Sequence, residues 1–212
     1  MNLKYLSGVV LFAVLASTSV AQFTPVVSRV KQTDETLNGG KVIKSVQREA
    51  MYYRNTDGSY VFQWVSMLKD GETQQEYTGA FWDNKTGTSY RLDYQNKKAF
   101  VEDKGKLPIQ PSSSNADATE KGYPQDSVHG ITCRVHPVKM HTQSGDISAG
   151  QVCVSNEHHL LLRQELAYPT GNNQSTHTLI EFYDVQLGAE PDPKVFEVSR
   201  SFTIFEPSAQ KN

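Results

Sequence analysis

A chain of 212 residues with 21 basic and 23 acidic side chains has a formal charge of −2 and no run of like charge. That balance argues against nucleic acid as a partner, which selects a concentrated basic face. It also gives bulk electrostatics no part in docking on anionic lipid. The length suits one all-β domain with a sizeable core.

Met1 to Ala21 has the three zones of a secretory leader: a basic start at Lys4, an apolar run from Tyr5 to Ala16, and small residues at Ser19 and Ala21 ahead of Gln22. Cleavage after Ala21 is expected, which removes Lys4 and brings the charge to −3. The apolar run covers roughly 12 residues against the ~20 that span hydrocarbon, and no second run follows, so no stable membrane insertion is expected after cleavage. Neither Cys133 nor Cys153 lies directly after the cleavage point, so a lipid-modified N-terminus is not expected. The predicted organisation is a signal peptide over 1–21 and a single β domain over 22–212, secreted or periplasmic.

Beyond the leader, strand patterns follow one another. Lys41 to Arg54, Ser59 to Leu68, Glu76 to Trp82, Ser89 to Tyr94 and Ala99 to Glu102 alternate or are rich in β-branched and aromatic residues. Asn55 to Gly58, Lys69-Asp70-Gly71, Asp83 to Gly87 and Gln95-Asn96-Lys97 are short polar turns that suit antiparallel hairpins. The first half therefore reads as a meander. Residues 104–125 are rich in Pro, Ser, Asp and Lys, bury little, and read as a mobile loop. Strands resume at Gly130 to Met140, Gln151 to Val154, His159 to Ala167 and Thr176 to Leu187, with turns at Thr142 to Gly150 and Pro169 to Gln174.

Alternation in the best of these strands leaves neither face purely polar. Tyr60, Phe62 and Trp64 face one way and Val61, Val65 and Met67 the other. In Thr176 to Leu187, Leu179, Tyr183, Val185 and Leu187 oppose Thr178, Ile180, Phe182 and Asp184. Apolar cover on both sides fits a curved sheet that wraps something: a short helix, the 104–125 loop or a ligand. No segment of ten residues shows a capped 3.6-residue period, so helix should be scarce. The predicted fold class is mainly β, a single antiparallel curved sheet or half-barrel.

Cys133 and Cys153 in an exported chain are expected to form a disulfide. His136, His158 and His159 lie near them, but Cys133 with His136 and Cys153 with His158 are odd-spaced and point to opposite faces of a strand, so no metal site is expected. No Gly-x-Ser-x-Gly elbow, phosphate cradle or cofactor motif is present. Asp57 with Glu76, or Glu181 with Asp184, offers a carboxylate pair for a hydrolase, although acids in turns and strands are abundant without such a role. The chain is read as a non-enzyme without a cofactor. Eleven of its 21 aromatic residues fall between Tyr52 and Phe100. Most suit a core, and Tyr60, Phe62 and Trp64 are the candidate lining of a ligand cavity. Asn84-Lys85-Thr86 and Asn173-Gln174-Ser175 fit the glycosylation sequon at turns, which carries no meaning in a bacterium.

The segment Leu187-Gly188-Ala189-Glu190-Pro191-Asp192-Pro193-Lys194-Val195-Phe196-Glu197-Val198 resembles the tail of uncharacterised exported bacterial proteins, in which a strand ends in a Pro-Asp-Pro turn and an aromatic plug. Tyr52 to Gly58 and Gly150-Gln151-Val152-Cys153 with Leu160 to Arg163 resemble segments of the same proteins. By overall pattern, over roughly Gly40 to Ile204, the chain is similar to the half-barrel of periplasmic lipoprotein carriers and of the related sensor domain that reads mislocalised lipoproteins. Those carriers hold more helix than this sequence offers. The resemblance implies a concave apolar cavity for a hydrophobic small molecule, a lipid or a lipidated protein, and assigns no binding residues. The rival expectation is a packed interaction or structural module of the cell envelope, acting through strand edges or the 104–125 loop.

Overall fold

A computed structural model describes residues 23–104, 122–141, 147–171 and 174–206. The leader, nearly all of the 104–125 loop, the tip of the turn after Thr142 and the sequon asparagine Asn173 lie outside the described residues. Thirteen strands form one sheet: β1 Val26–Asn38, β2 Lys41–Arg54, β3 Tyr60–Lys69, β4 Glu72–Gln75, β5 Thr78–Asp83, β6 Thr88–Asp93, β7 Lys98–Lys104, β8 Gln125–Val128, β9 Ile131–His141, β10 Ile147–Ser155, β11 Leu160–Gly171, β12 Gln174–Leu187 and β13 Thr203–Phe205. Helix among the described residues amounts to a 3-10 turn, Pro193–Phe196, and the single turn α1, Val198–Ser201. No described helix is long and apolar enough to cross a membrane.

The spatial order is β13-β7-β6-β5-β3-β2-β1-β12-β11-β10-β9-β8, with β4 on the far end of β3. The expected mainly β, curved-sheet fold class with little helix is what the chain adopts. Pairing is antiparallel except for β13, which returns parallel to β7 at the edge. The centre of the sheet is β1, flanked by β2 and by β12, whose register runs from Val26↔Leu187 to Asn38↔Gln174. Asp70 and Gly71, both at positive φ, make the two-residue β3–β4 turn whose twist matches its strands.

Two bulges alter what alternation predicts. Between Ala50↔Trp64 and Glu49↔Ser66, Val65 is an extra residue in β3. Past it the parity flips, so Met67 joins the face of Tyr60, Phe62 and Trp64 instead of opposing it. In β12 the slip lies opposite Val27 to Arg29, next to Asp184 at φ +50°. It lets Val185 and Leu187 pack in the same core as Ile180 and Phe182. The stretch after Thr142 expected to be turn is strand again from Ile147, and β11 runs on to Gly171.

The core is divided between the two faces. On the inner face Val26, Val30, Ala50, Tyr52, Leu160, Leu162 and Phe182 form one buried cluster, which also takes in Cys133 and Cys153. On the outer face of β3 and β5 to β7, Val61, Phe81, Leu92 and Ala99 are sealed by the C-terminal segment through Val195, Phe196, Val198 and Phe202. Asp192 caps that segment by accepting from the Lys194 N–H, and Pro193 opens its turn. Each large side chain so buried contributes roughly 1.5–3 kcal/mol, which is why a sheet with both faces apolar needs this tail.

Candidate functional site: a cleft continuing the inner sheet face

The inner face of β1 changes character along its length. Val26, Ser28 and Val30 are almost fully buried, whereas Gln32, Asp34 and Thr36, next on the same face, line an open cleft. The strands beside β1 repeat the change in register: Tyr52 and Ala50 give way to Arg48, Val46 and Lys44 on β2, and Phe182 and Ile180 to Thr178 on β12.

The apolar end is closed by Arg54, which is only 4% exposed. Its guanidinium donates to the Thr24 carbonyl at 2.9 Å, to the His158 carbonyl at 2.6 Å and to the His159 carbonyl, tying β2 to the β10–β11 turn across the curl. Phe23 packs beside it, its ring 6.2 Å from that of His159. Burial lowers the Arg54 pKa, opposed by Tyr52, and burial pushes Tyr52 up to about 12. Burial, with Tyr52 adding to it, also raises Tyr60.

Tyr60, Phe62 and Trp64 come next on β3, brought together on the inner face. All three are half-buried and pack against the inner core. Phe62 and Trp64 meet edge to face at 4.8 Å, and Tyr60 lies 5.8 Å from Tyr52. Cys133 and Cys153 form the disulfide, Cα atoms 5.4 Å apart, so neither sulfur is a free thiolate, and a bridge of this kind fits an oxidising, extracytoplasmic compartment.

Past Trp64 the face becomes a cleft of about 520 Å³, floored by the Gln32, Arg48, Met67 and Thr178 rungs, with Lys44, Lys69 and Tyr168 at its rim. Asp34 is held from two sides: Gln32 Nε2 and Thr178 Oγ1 each donate to one of its oxygens at 2.7 Å. Arg48 spans the boundary. Its guanidinium lies over the Trp64 ring at 5.6 Å and its Nε stands 3.5 Å from Glu76 Oε1. Yet Arg48 Nε and Glu76 Oε2 are both buried without a hydrogen bond. The only hydrogen-bond contact of Arg48 among the described residues is to the Met67 sulfur at 3.9 Å. A second depression of about 580 Å³ is bordered by Tyr123, Pro137, Glu165 and His177.

The carboxylate pairs are not assembled. Asp57 sits in the turn before β3, where it accepts from the Ser59 N–H and pairs with Lys85 at 3.2 Å. Burial works to raise its pKa, but those Ser59 and Lys85 contacts together bring it below the ordinary value. Glu76 lies beside the other end of β3, its N–H on the Val65 carbonyl. Glu181 faces His129 at 3.9 Å on the outer face, while Asp184 occupies the β12 bulge.

Sequence reasoning singled out none of Gln32, Asp34, Arg48 or Arg54. β1 was invisible because its inner face turns polar halfway, which erases alternation. The period-two run Val26, Ser28, Val30 was the available signal.

No family model matches the chain, and no curated protein matches it. Solved structures do. MucB in complex with MucA(peri) is similar at 13% identity and a TM-score of 0.34, covering 80% of this chain and 54% of that one. MucB alone is similar at 12% identity, with a TM-score of 0.34 over 84% of this chain and 58% of that one. A LolA superfamily protein from Nitrosomonas europaea is similar at 8% identity and a TM-score of 0.34, covering 80% of this chain and 89% of that one. The chain spans little more than half the length of the MucB chains it matches. The resemblance to lipoprotein-carrier half-barrels read from the sequence is met in these neighbours as a weak match of fold.

Proposed function

We propose that this is an exported, non-catalytic binding protein, secreted or periplasmic after loss of a leader over 1–21, whose single domain holds a hydrophobic ligand or the acyl portion of a lipidated partner against its inner sheet face. The observation that supports this reading is the continuity of that face. It runs from the Arg54 seal, past the half-buried ring edges of Phe62 and Trp64, into an open polar cleft. Tyr60 to Trp64 spans about 13 Å of strand, room for the end of an acyl chain in an apolar seat whose polar groups fix orientation at one end. Met67, turned inward by the Val65 bulge, adds a flexible apolar wall where the two zones meet.

The test is native mass spectrometry of mature protein purified from its own exported fraction, followed by denaturation and lipid extraction. An amphiphile released from the wild type, and lost from the Phe62→Ala/Trp64→Ala variant, is the expected result. A bare polypeptide mass from the wild type overturns the reading.

A second reading, an envelope interaction module, is favoured by one feature. The edge strand β13 exposes Ile204 and Phe205, at 38% and 41%, and an open edge with apolar side chains pairs readily with another strand. In the same spectra that reading expects a protein adduct instead of a lipid, removed by Phe205→Lys.

A further inference from the structure

Resting on the ligand reading above, we infer that the cleft is an anion site, and that the ligand is a single-chain amphiphile with a phosphate-type or carboxylate head. The cleft carries three cations, Lys44, Arg48 and Lys69, against one lining carboxylate, Asp34. Both oxygens of Asp34 already accept from Gln32 and Thr178, so this carboxylate is tied into the wall. Neither Lys44 nor Lys69 has a carboxylate partner among the described residues. They share one face of the cleft: Lys69 stands opposite Val46 in the β2–β3 register, and Lys44 is the next residue of β2 on that face.

Arg48 supplies the second, independent argument. Its guanidinium carbon lies over the Trp64 ring, 5.6 Å from the centroid, and its ion pair with Glu76 at 3.5 Å leaves the Nε donor unbonded. A guanidinium whose Nε is unbonded, and whose one hydrogen bond among the described residues is the long one to the Met67 sulfur, is prepared for an oxyanion, to which it gives short, charge-assisted bonds. It sits where the apolar face ends, which is where the head of a chain lying along Phe62 and Trp64 emerges. Apolar seat, fixed guanidinium and flexible lysines follow in the order tail, first head contact, outer head contact.

The disulfide-bonded mature protein is titrated calorimetrically with monododecyl phosphate, with the neutral monododecanoylglycerol, each below its micelle concentration, and with inorganic phosphate alone. The phosphate amphiphile should bind at least tenfold tighter than the neutral one, the size of one or two charge-assisted bonds. Lys44→Gln/Lys69→Gln, at exposed positions, should shrink that gap towards unity while affinity for the neutral amphiphile holds, and Arg48→Gln, made separately, should shrink the gap as well. Equal binding of the two amphiphiles, or a gap untouched by both variants, overturns the anion site and leaves the ligand reading standing. Failure of both amphiphiles to bind overturns the two together. Inorganic phosphate binding as tightly as the amphiphile overturns the head-group assignment in favour of a free-anion site.

Discussion

Arg54 does at the closed end of the sheet what a rung of backbone hydrogen bonds does elsewhere. Carbonyls at the β10–β11 turn and at Thr24 have no strand beyond them to supply N–H groups, and one guanidinium serves all three. Removing it strands buried acceptors, so Arg54→Met should lower unfolding free energy by about 3 kcal/mol in urea titration. Tyr52, its neighbour, makes the same end sensitive to alkali. Burial holds the folded phenol near 12 against an ordinary value of 10, so the unfolded chain ionises first. The stability from the neutral buried phenol is fully present below pH 10 and is lost as pH rises towards 12. Tyrosinate absorbance at high pH should therefore lag and then rise together with unfolding, and Tyr52→Phe should flatten the fall of stability between pH 10 and 12.

At the scale of the element, close approach and bulges decide which residues meet. A Cβ placed on Gly150 would lie 1.9 Å from the Glu165 carbonyl oxygen across the β10–β11 pair. Gly150→Ala must push these strands apart, and a loss of about 3 kcal/mol in unfolding free energy is expected from chemical denaturation, with weaker amide protection in β10 and β11. The same scale governs what could be read in advance. Lys41 to Arg54 matches β2 to the residue because β-branched and aromatic residues run through it and glycine-bearing turns bound it at both ends. Val65 and the slip beside Asp184 carry no compositional mark, so Met67, Val185 and Leu187 were assigned to the wrong sides and the polar half of the cleft did not emerge. Tyr60, Phe62 and Trp64 were legible as one face because they precede the bulge. β4, Glu-Thr-Gln-Gln, is polar throughout and exists by pairing with β3 alone, a tertiary cause that local pattern cannot carry.

Over the whole molecule, stability is shared between an inner core sealed by curl and an outer core sealed by the tail. The disulfide joins β9 to β10 over a separation of 20 residues, far from the C-terminal seal. In the chain-entropy description such a loop contributes about 3 kcal/mol. Cys133→Ser/Cys153→Ser should lower the melting temperature by roughly 10 °C in a calorimetric scan, for a domain of this size. A preserved melting point would mean that β8, β9 and β10 are held by pairing alone.

The central position of β1 has a bearing on time. Its two partners are β2, the next strand, and β12, more than a hundred residues away. A chain synthesised N-terminus first has its middle strand in hand at the outset but must wait for Leu187 before that strand is covered on both sides. Folding dominated by such remote pairing is slow, and until it finishes the inner rings and the open edge of β1 stay accessible to anything nearby. For the ligand reading proposed above, capture during that interval, rather than entry into a finished cleft, is the order of events this topology favours.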